Sequence, residues 1–496
     1  MKFNASAKFK INIPDEILEI GEKFQNNNFQ AYLVGGCVRD ILLAHKPKDW
    51  DIATDAKPEE IQKIFPNSIY ENQFGTVGVK TDSKDENLKI VEITTFRLEG
   101  KYTDKRHPDE IKFAKTIEDD LSRRDFTVNA FALSLTEGMA QEIIDFFGGQ
   151  EDLKNKIIRA VGEPEKRFSE DALRLVRAIR FASELDFQIE EKTGEAIKER
   201  AGLLEMIAKE RIREELVKII MLDSAAEGVS LLEKFGLLKY MMPELIEGVG
   251  VDQNKHHIYT VFEHGLRSLD YAAKNNYSLE IRLAALLHDI GKPKTKRGEG
   301  ENSTFYNHEM VGAKMTLRLL DRLRFPKDLS EKVIHLVRYH LFYYNVGEVT
   351  EAGVRRFISR VGVENIDDFI KLRQADRIGS GVPKAVPYKI RHLLFMVEKV
   401  KHDPVSPKML KVGGNDVMKI LNIGSSPKIG YILAILLDEV INEPAKNTKK
   451  NLEFRIKDLG KLSESELMKL SRKAGERKEE FESGVEKEMK KKYYVK

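Results

Sequence analysis

LVGGCVRDILL at residues 33–43, followed by DWDIAT at 49–54, decides the fold of this chain. The first stretch reads as a strand, a Gly-Gly turn and the start of a helix. Glycines let the backbone approach a ligand closely, and the N–H groups at a helix start favour phosphate. Arg39 sits one turn into that helix, where its guanidinium can clamp a triphosphate oxygen. In DWDIAT, Asp49 and Asp51 are two apart, and on a strand such residues share a face. Two carboxylates on one spot suit Mg²⁺ shared with substrate phosphates. A pair of such ions about 4 Å apart stabilises the attacking and leaving oxygens of in-line phosphoryl transfer. Either element alone is as well explained by a plain turn or a solvated strand end. Together, in this order, they point to nucleotide chemistry.

Working outward, AYLVGG, VGVK, KIVEITTF and FTVNAFALSL are apolar or alternating and predict further strands up to about residue 150. Between them, LEGKYTDKRHPDE (98–110) is polar and rich in turn formers, and predicts a long functional loop. From Phe168 to Glu247 the apolar spacing becomes helical, as in ALRLVRAIRFASEL and RIREELVKIIM. Helical spacing resumes from Asp252 to Val400, where most histidines lie, and again from Lys408 to a charged tail. The expected fold class is α+β: a head with a small mixed sheet, then an all-α remainder with no second sheet.

The length of 496 residues implies three or four domains. Charged residues make up 33% of the chain, yet the net charge is only +3, so overall balance does not announce nucleic acid. Local clusters of Lys and Arg decide that question. The single cysteine, Cys37, excludes an internal disulfide and a Cys-rich zinc site, and fits a reducing cytoplasm. MKFNASAKFKINIPDEILEI lacks the apolar core of a signal peptide, and no apolar run approaches the roughly 20 residues that span a bilayer. The expectation is a soluble cytoplasmic protein without a membrane partner; oligomeric state is left open.

The pattern GG-x-VRD-x-L followed by DxD resembles the polymerase β nucleotidyltransferase superfamily. Within it, the chain resembles the class II tRNA nucleotidyltransferase and bacterial poly(A) polymerase family. RRDFTVNA (123–130), DFFGGQEDL (145–153), EDALRLVRAIRF (170–181) and AKERIREEL (208–216) match that family's later motifs, in order. The resemblance implies that Gly36 and Arg39 contact nucleotide phosphates, that Asp49 and Asp51 are catalytic and bind Mg²⁺, and that Arg124, Asp125 and Asn129 shape the nucleotide pocket. Glu92, on VEITTF, is either a helper of the metal site or a plain strand-edge carboxylate.

The family selects bases with protein side chains. Cytosine and adenine both present an exocyclic amine beside a bare ring nitrogen. Asp171 accepts from the amine and Arg174 donates to the nitrogen. Uracil and guanine present a carbonyl and an N–H there, leaving both contacts mismatched in a buried site. Placed three apart on one helix, the two residues are neighbours, and Arg177 and Arg180 continue towards phosphate or RNA. The implied substrates are CTP, ATP and the tRNA 3′ end. The loop at 98–110 resembles the one that full CCA-adding members use to switch to A. PNSIYENQFGTVGVK (66–80) lacks the basic signature of bacterial poly(A) polymerases, so poly(A) synthesis or A addition alone ranks second. A reading of another class keeps the head as an RNA-binding module only.

LAALLHDIGKP (283–293), with His264, His308, His340 and Asp376 around it, resembles the HD phosphohydrolase superfamily. The resemblance assigns His264, His288, Asp289 and Asp376 to a first metal and His308 and His340 to a second. Imidazole and carboxylate ligands suit a divalent transition metal or Mg²⁺. In tRNA nucleotidyltransferases such a domain is associated with hydrolysis of 3′-end phosphoesters. His335 reads as a packed helix residue, and His107, His256, His257, His392 and His402 carry no assignment. LKVGGNDVMKILNIG onward (410–443) resembles the region with which bacterial members hold the tRNA elbow. The expected domains are 1–150 (head), 151–247 (neck, with base-selecting and RNA-binding helices), 248–400 (HD) and 401–496 (C-terminal helices and tail).

Overall fold

The computed structural model describes residues 13–72, 75–98, 112–135, 143–254, 258–341, 344, 346–347, 349–381 and 384–475. The chain divides into two compact units, Met1–Ile246 with Arg322–Phe325, and Glu247–Asp321 with Pro326–Lys496. Most of the loop at 98–110 and the last residues of the tail lie outside the described residues.

The first unit is built on a mixed sheet. Its strands are β1 (Ala31–Val34), β2 (Asp51–Thr54), β3 (Ser68–Asn72), β4 (Thr76–Lys80) and β5 (Ile90–Thr95). After a short ladder of β6 (Arg97–Leu98) with β7 (Lys112–Phe113) come β8 (Ala132–Ser134) and β9 (Ile143–Ile144). The seven-stranded order is β3-β4-β5-β2-β1-β8-β9. β2 and β5 run parallel; the other pairs are antiparallel.

Successive strand residues point to opposite faces, and here both faces are covered. Ala31 and Leu33 join Ile17, Ile20 and Phe24 of the helix Asp15–Asn26 in one core. Tyr32 and Val34 join Phe96, Ile117 and Leu121 in another. The same alternation separates Ile52 from Ala53 and Leu133 from Ala132. Asp51 shares the parity of Ala53 and so faces the second core, on the side of the helix Ile117–Ser122.

Two sequence expectations are corrected. FTVNAFALSL is not one strand: Thr127–Asn129 is a 3₁₀ turn and β8 starts only at Ala132. Side-chain bonds compete with the ladder there. Thr127 Oγ1 donates to Asp152 Oδ2 at 2.7 Å, and Asn129 Oδ1 accepts from Arg39 Nη1 at 2.8 Å. The helical remainder also contains a second small sheet, in which Ile157–Ile158 pairs in parallel with Gln188–Ile189. Lys156 and Asp186, both at positive φ (56° and 55°), end the preceding helices and turn the chain into these strands. The other elements from Pro164 to Lys234 are helical, chiefly Pro164–Glu170, Leu173–Leu185, Glu191–Arg200, Lys209–Met221 and Ala225–Lys234.

The named elements of the second unit are helices. Val261–Lys274 opens with a capping box in which Thr260 Oγ1 accepts from Glu263 N at 3.2 Å and Glu263 Oε2 accepts from Thr260 N at 2.9 Å. Leu279–Leu287 is buried throughout Leu283–Leu287, so it runs through the interior rather than along a surface. Val417, Ile432, Leu436 and Ile456 centre a separate C-terminal core. Among the described residues no helix is long and apolar enough to cross a membrane.

Candidate active site and metal centre

The Gly-Gly turn is built as its sequence implies. Gly35, at φ 77°, precedes the helix Gly36–Leu42. Its positive φ favours glycine, and a Cβ there would lie 2.5 Å from Arg124 Nη1, so a side chain would push that guanidinium from its place. Arg39, 7% exposed, donates to Asn129 Oδ1 at 2.8 Å and to Asp40 Oδ1 through Nε (2.9 Å) and Nη2 (2.7 Å). The helix start, Arg39, Arg124 and Asn129 therefore converge beside the end of β1.

Asp51 opens β2, whereas Asp49 lies in the bend before it. The shared-strand argument for the pair is thus corrected: the strand carries Asp51, and Asp49 reaches the same neighbourhood from an exposed bend. Burial pushes the Asp51 carboxyl up, Arg124 pulls it back and the Asp49 charge adds to the rise. A buried carboxylate whose proton affinity is raised by burial and by a second carboxylate nearby is a donor set that a hard divalent cation relieves, so the residues present fit Mg²⁺. The β2–β5 register sets Glu92 opposite Asp51 on the same face.

The residues expected to select the base, Asp171 and Arg174, depart from the expected geometry. Asp171 is not on the helix of Arg174; it stands between Pro164–Glu170 and Leu173–Leu185, with extended φ/ψ of −133° and 106°. Its side chain makes a local bond to the start of the next helix, accepting from Leu173 N at 3.0 Å. Asp and similar short acceptors favour that position over a helix interior. Asp171 also accepts from Arg211, at 2.9 Å to Oδ2 and 3.3 Å to Oδ1. Arg174 donates to Glu170 Oε2 at 2.9 Å and to the carbonyls of Arg167 and Arg123, each at 3.0 Å. Both groups are held in orientation by partners that the sequence reading did not assign.

Behind them lies a buried ionic layer. Asp125 accepts from Arg177 Nε at 2.8 Å, and its backbone carbonyl accepts from Val161 N at 3.1 Å. Burial opposes ionisation of Asp125, but Arg177 overrides it and holds the carboxyl below its ordinary range. Arg180 pairs with Glu215 at 2.7 Å and with Glu184 at 3.2 Å. The guanidiniums of Arg39, Arg177 and Arg180 all lie over the Phe181 ring, 5.6, 5.2 and 4.1 Å from its centre. Arg180 is thereby committed to protein contacts in this structure.

In the second unit, His264, His288 and Asp376 bring ligand atoms within 4.8 Å of one another, as do Asp289, His308 and His340. All six residues are buried. His288 and Asp289 fall just past the end of the helix Leu279–Leu287, not within it. There Gly291 packs its Cα face against the His308 carbonyl and leaves no room for a Cβ. Asp289 stands between the triads. Its Oδ2 lies 3.2 Å from His264 Nε2 and 3.3 Å from His288 Nε2; its Oδ1 lies 3.2 Å from His308 Nε2 and 3.6 Å from His340 Nε2.

His288, His308 and His340 turn Nδ1 to backbone carbonyls at 2.9, 2.6 and 2.7 Å. A carbonyl only accepts, so Nδ1 carries the proton and each Nε2 offers its lone pair to the centre. That donor set fits two divalent cations sharing the Asp289 carboxylate. Burial opposes ionisation of Asp289, yet Lys292 at 2.6 Å and His288 hold its carboxyl well below the ordinary range. His335 donates to the Val361 carbonyl at 2.6 Å and stays outside the centre.

Three families match this chain: the Poly A polymerase head domain over residues 31–159, the "Probable RNA and SrmB- binding site of polymerase A" over 186–248, and the HD domain over 261–374. A CCA-adding enzyme of Lactococcus lactis subsp. lactis (strain IL1403) is 47% identical over 90% of this chain and 98% of its own length. The chain belongs to the family of CCA-adding tRNA nucleotidyltransferases. An A-adding tRNA nucleotidyltransferase of Deinococcus radiodurans is 33% identical over 82% of this chain and 91% of its own. Other curated CCA-adding enzymes are matched over about half their length. Among solved structures, the CCA-adding enzyme of Bacillus stearothermophilus in complex with CTP superposes with a TM-score of 0.67, at 29% identity over 90% of this chain and 96% of that one.

Within this tRNA nucleotidyltransferase family member, the sequence reading missed Glu170, Arg211 and Lys292. Arg211 lay inside the quoted AKERIREEL. Its partner stands 40 positions earlier, a separation that no local spacing rule reveals.

Proposed function

We propose that the chain adds C, C and A to the 3′ end of tRNA from CTP and ATP. In this reading residues 1–150 carry transfer, 151–247 select the base and grip RNA, 248–400 form the HD domain, and 401–496 hold the tRNA elbow. Asp49 and Asp51 would hold Mg²⁺, which supplies charge stabilisation to the attacking and leaving oxygens when bound. Gly36, Arg39 and Arg124 position the triphosphate against the helix start, while Asp125 and Asn129 fix Arg177 and Arg39 beside it. Asp171 accepts the exocyclic amine of C or A, and Arg174 donates to the adjacent ring nitrogen. Arg177 and Arg180 back that pocket. A soluble cytoplasmic setting accords with this substrate.

What supports the reading most is the preorganisation of the selector. Among the described residues, Leu173 N and the two Arg211 contacts occupy three of the roughly four lone-pair sites of the Asp171 carboxylate. One acceptor site is left for an amine. The second reading, A addition alone, draws on the A-adding relative. We further propose that the HD centre hydrolyses phosphoesters at RNA 3′ ends before addition.

The test uses tRNA transcripts ending before the CCA, after the first C and after the second C, with each nucleotide alone and in mixture. Addition of C, C and A followed by arrest is the expected result. A added only to the CC-ending transcript establishes the second reading, a long A tail establishes poly(A) synthesis, and no addition leaves the HD domain as sole catalyst.

A further inference from the structure

The helix Tyr388–Val400 carries a row of rings that no role described above uses. Tyr388 is 60% exposed and Phe395 61% exposed, although both are large aromatic side chains. His392 lies between them, 5.9 Å from the Tyr388 ring and 6.1 Å from the Phe395 ring. The spacing is 4 and 3, one helical face. From Tyr388 to Phe395 the row runs about 10 Å, at about 1.5 Å per residue. That is the length of about three stacked bases at about 3.4 Å each.

Lys384, Lys389 and Arg391 are exposed near the start of the row, and the first acid after Lys384 is Glu398, one turn past the last ring, so the basic residues gather at the Tyr388 end. The row is also tied to the metal centre. His392 Nδ1 shares a hydrogen bond with the Tyr344 hydroxyl, and Tyr344 follows the metal-site residue His340 by four positions. Four residues of chain span at most about 14 Å, so the row begins within a few nucleotides' reach of the HD ligands.

We propose that Tyr388, His392 and Phe395 form a stacking platform for single-stranded RNA, with Lys384, Lys389 and Arg391 engaging its phosphates, and that this platform delivers RNA 3′ ends to the HD centre. Aromatic faces accept any base, and basic neighbours accept any backbone, so the site recognises unpaired nucleotides rather than a sequence. The delivery role rests on the proposed HD hydrolysis; the binding role does not. An apolar protein partner would need the hydrophobic surface but neither the π faces nor the basic residues at the Tyr388 end.

The test measures fluorescence anisotropy of a labelled oligouridylate on the full chain, compared with Tyr388→Ala/Phe395→Ala and Tyr388→Leu/Phe395→Leu. Nucleotide addition to tRNA and metal-dependent phosphoester hydrolysis are assayed in parallel. Both double variants are expected to lose oligouridylate affinity, by about tenfold per ring, with addition and thermal stability unchanged. Tyr388→Trp/Phe395→Trp retains binding. Unchanged affinity in the Ala variant overturns the platform, and full retention by the Leu variant reassigns the row to an apolar partner. Lost binding without any wild-type hydrolysis overturns only the delivery role.

Discussion

Replacing Arg211 with Met removes the clamp on the Asp171 carboxylate while keeping the length of the side chain. Arg211 reaches Asp171 by two contacts, 2.9 and 3.3 Å, with side-chain exposures of 21% and 18%. A hydrogen bond to a charged group contributes about 1.5–3 kcal/mol, and about 1.4 kcal/mol is tenfold. Partial exposure and the longer second contact favour the low end. Without Arg211, Asp171 keeps, among the described residues, its side-chain bond to Leu173 N alone, and its carboxylate is freer to turn from the acceptor direction that an amine needs. The preference for CTP over UTP is therefore expected to fall by about tenfold, through a lower kcat/KM for CTP. The fold loses about 1 kcal/mol or less. Arg211→Lys, which keeps the charge but not the planar fork, falls between. Single-nucleotide incorporation under competing CTP and UTP reads the ratio directly. An unchanged ratio in a folded Arg211→Met protein refutes the claim that this ion pair aims the selector.

Asp49→Asn and Asp51→Asn are each expected to reduce nucleotide addition by about a thousandfold or more without lowering thermal stability. Asp49 is exposed, and burial disfavours the charged form of Asp51; addition assays and thermal melts check both points. Arg177→Met leaves the Asp125 carboxylate buried without its main partner and is expected to cost roughly 3–5 kcal/mol of stability in urea unfolding. Because the folded Asp125 carboxyl lies below its ordinary range, its contribution is present above about pH 4 and is lost as pH falls through the folded value. Asp125→Asn should flatten that acid limb, and stability measured from pH 3 to 7 tests the sign. In the HD centre, Asp289→Asn should lower bound divalent metal in both sites while His340→Ala lowers it in one, as Asp289 faces both triads. Metal content by mass spectrometry distinguishes the two, and equal losses would contradict the bridging role.

Much of the head was legible because its signals are local. A Gly-Gly turn before Arg39 and the apolar run AYLV each act within a few residues, and the strand Ala31–Val34 and the helix Gly36–Leu42 form where they predict; the DxD strand begins only at Asp51. Local reading failed where side chains bond across the fold. Thr127 and Asn129 look like strand residues, but their bonds to Asp152 and Arg39 make a 3₁₀ turn. EDALRLVRAIRF reads as one helix, yet Asp171 is extended and its side chain bonds to Leu173 N, which splits the run into two helices. β3 was not expected because SIYEN mixes polar residues at a sheet edge, where Ile69 is 48% exposed. The HD histidines were legible as an ordered set; the position of Asp289 between two triads depends on packing among five helices.

The break at Asp171 also separates two kinds of recognition device. Residues on a continuous helix keep their spacing as rungs on a ladder do, whatever sits in front of them. Asp171 instead occupies a joint, where its N–H reaches the Arg167 carbonyl at a slack 3.5 Å and its own φ and ψ are extended. In the proposed reading, a small torsion at that joint would shift the acceptor relative to Arg174 without unwinding the helix that carries the donor. Such a pair would work as a caliper with one adjustable jaw, gripping a single ring and then a fused double ring with the same two teeth.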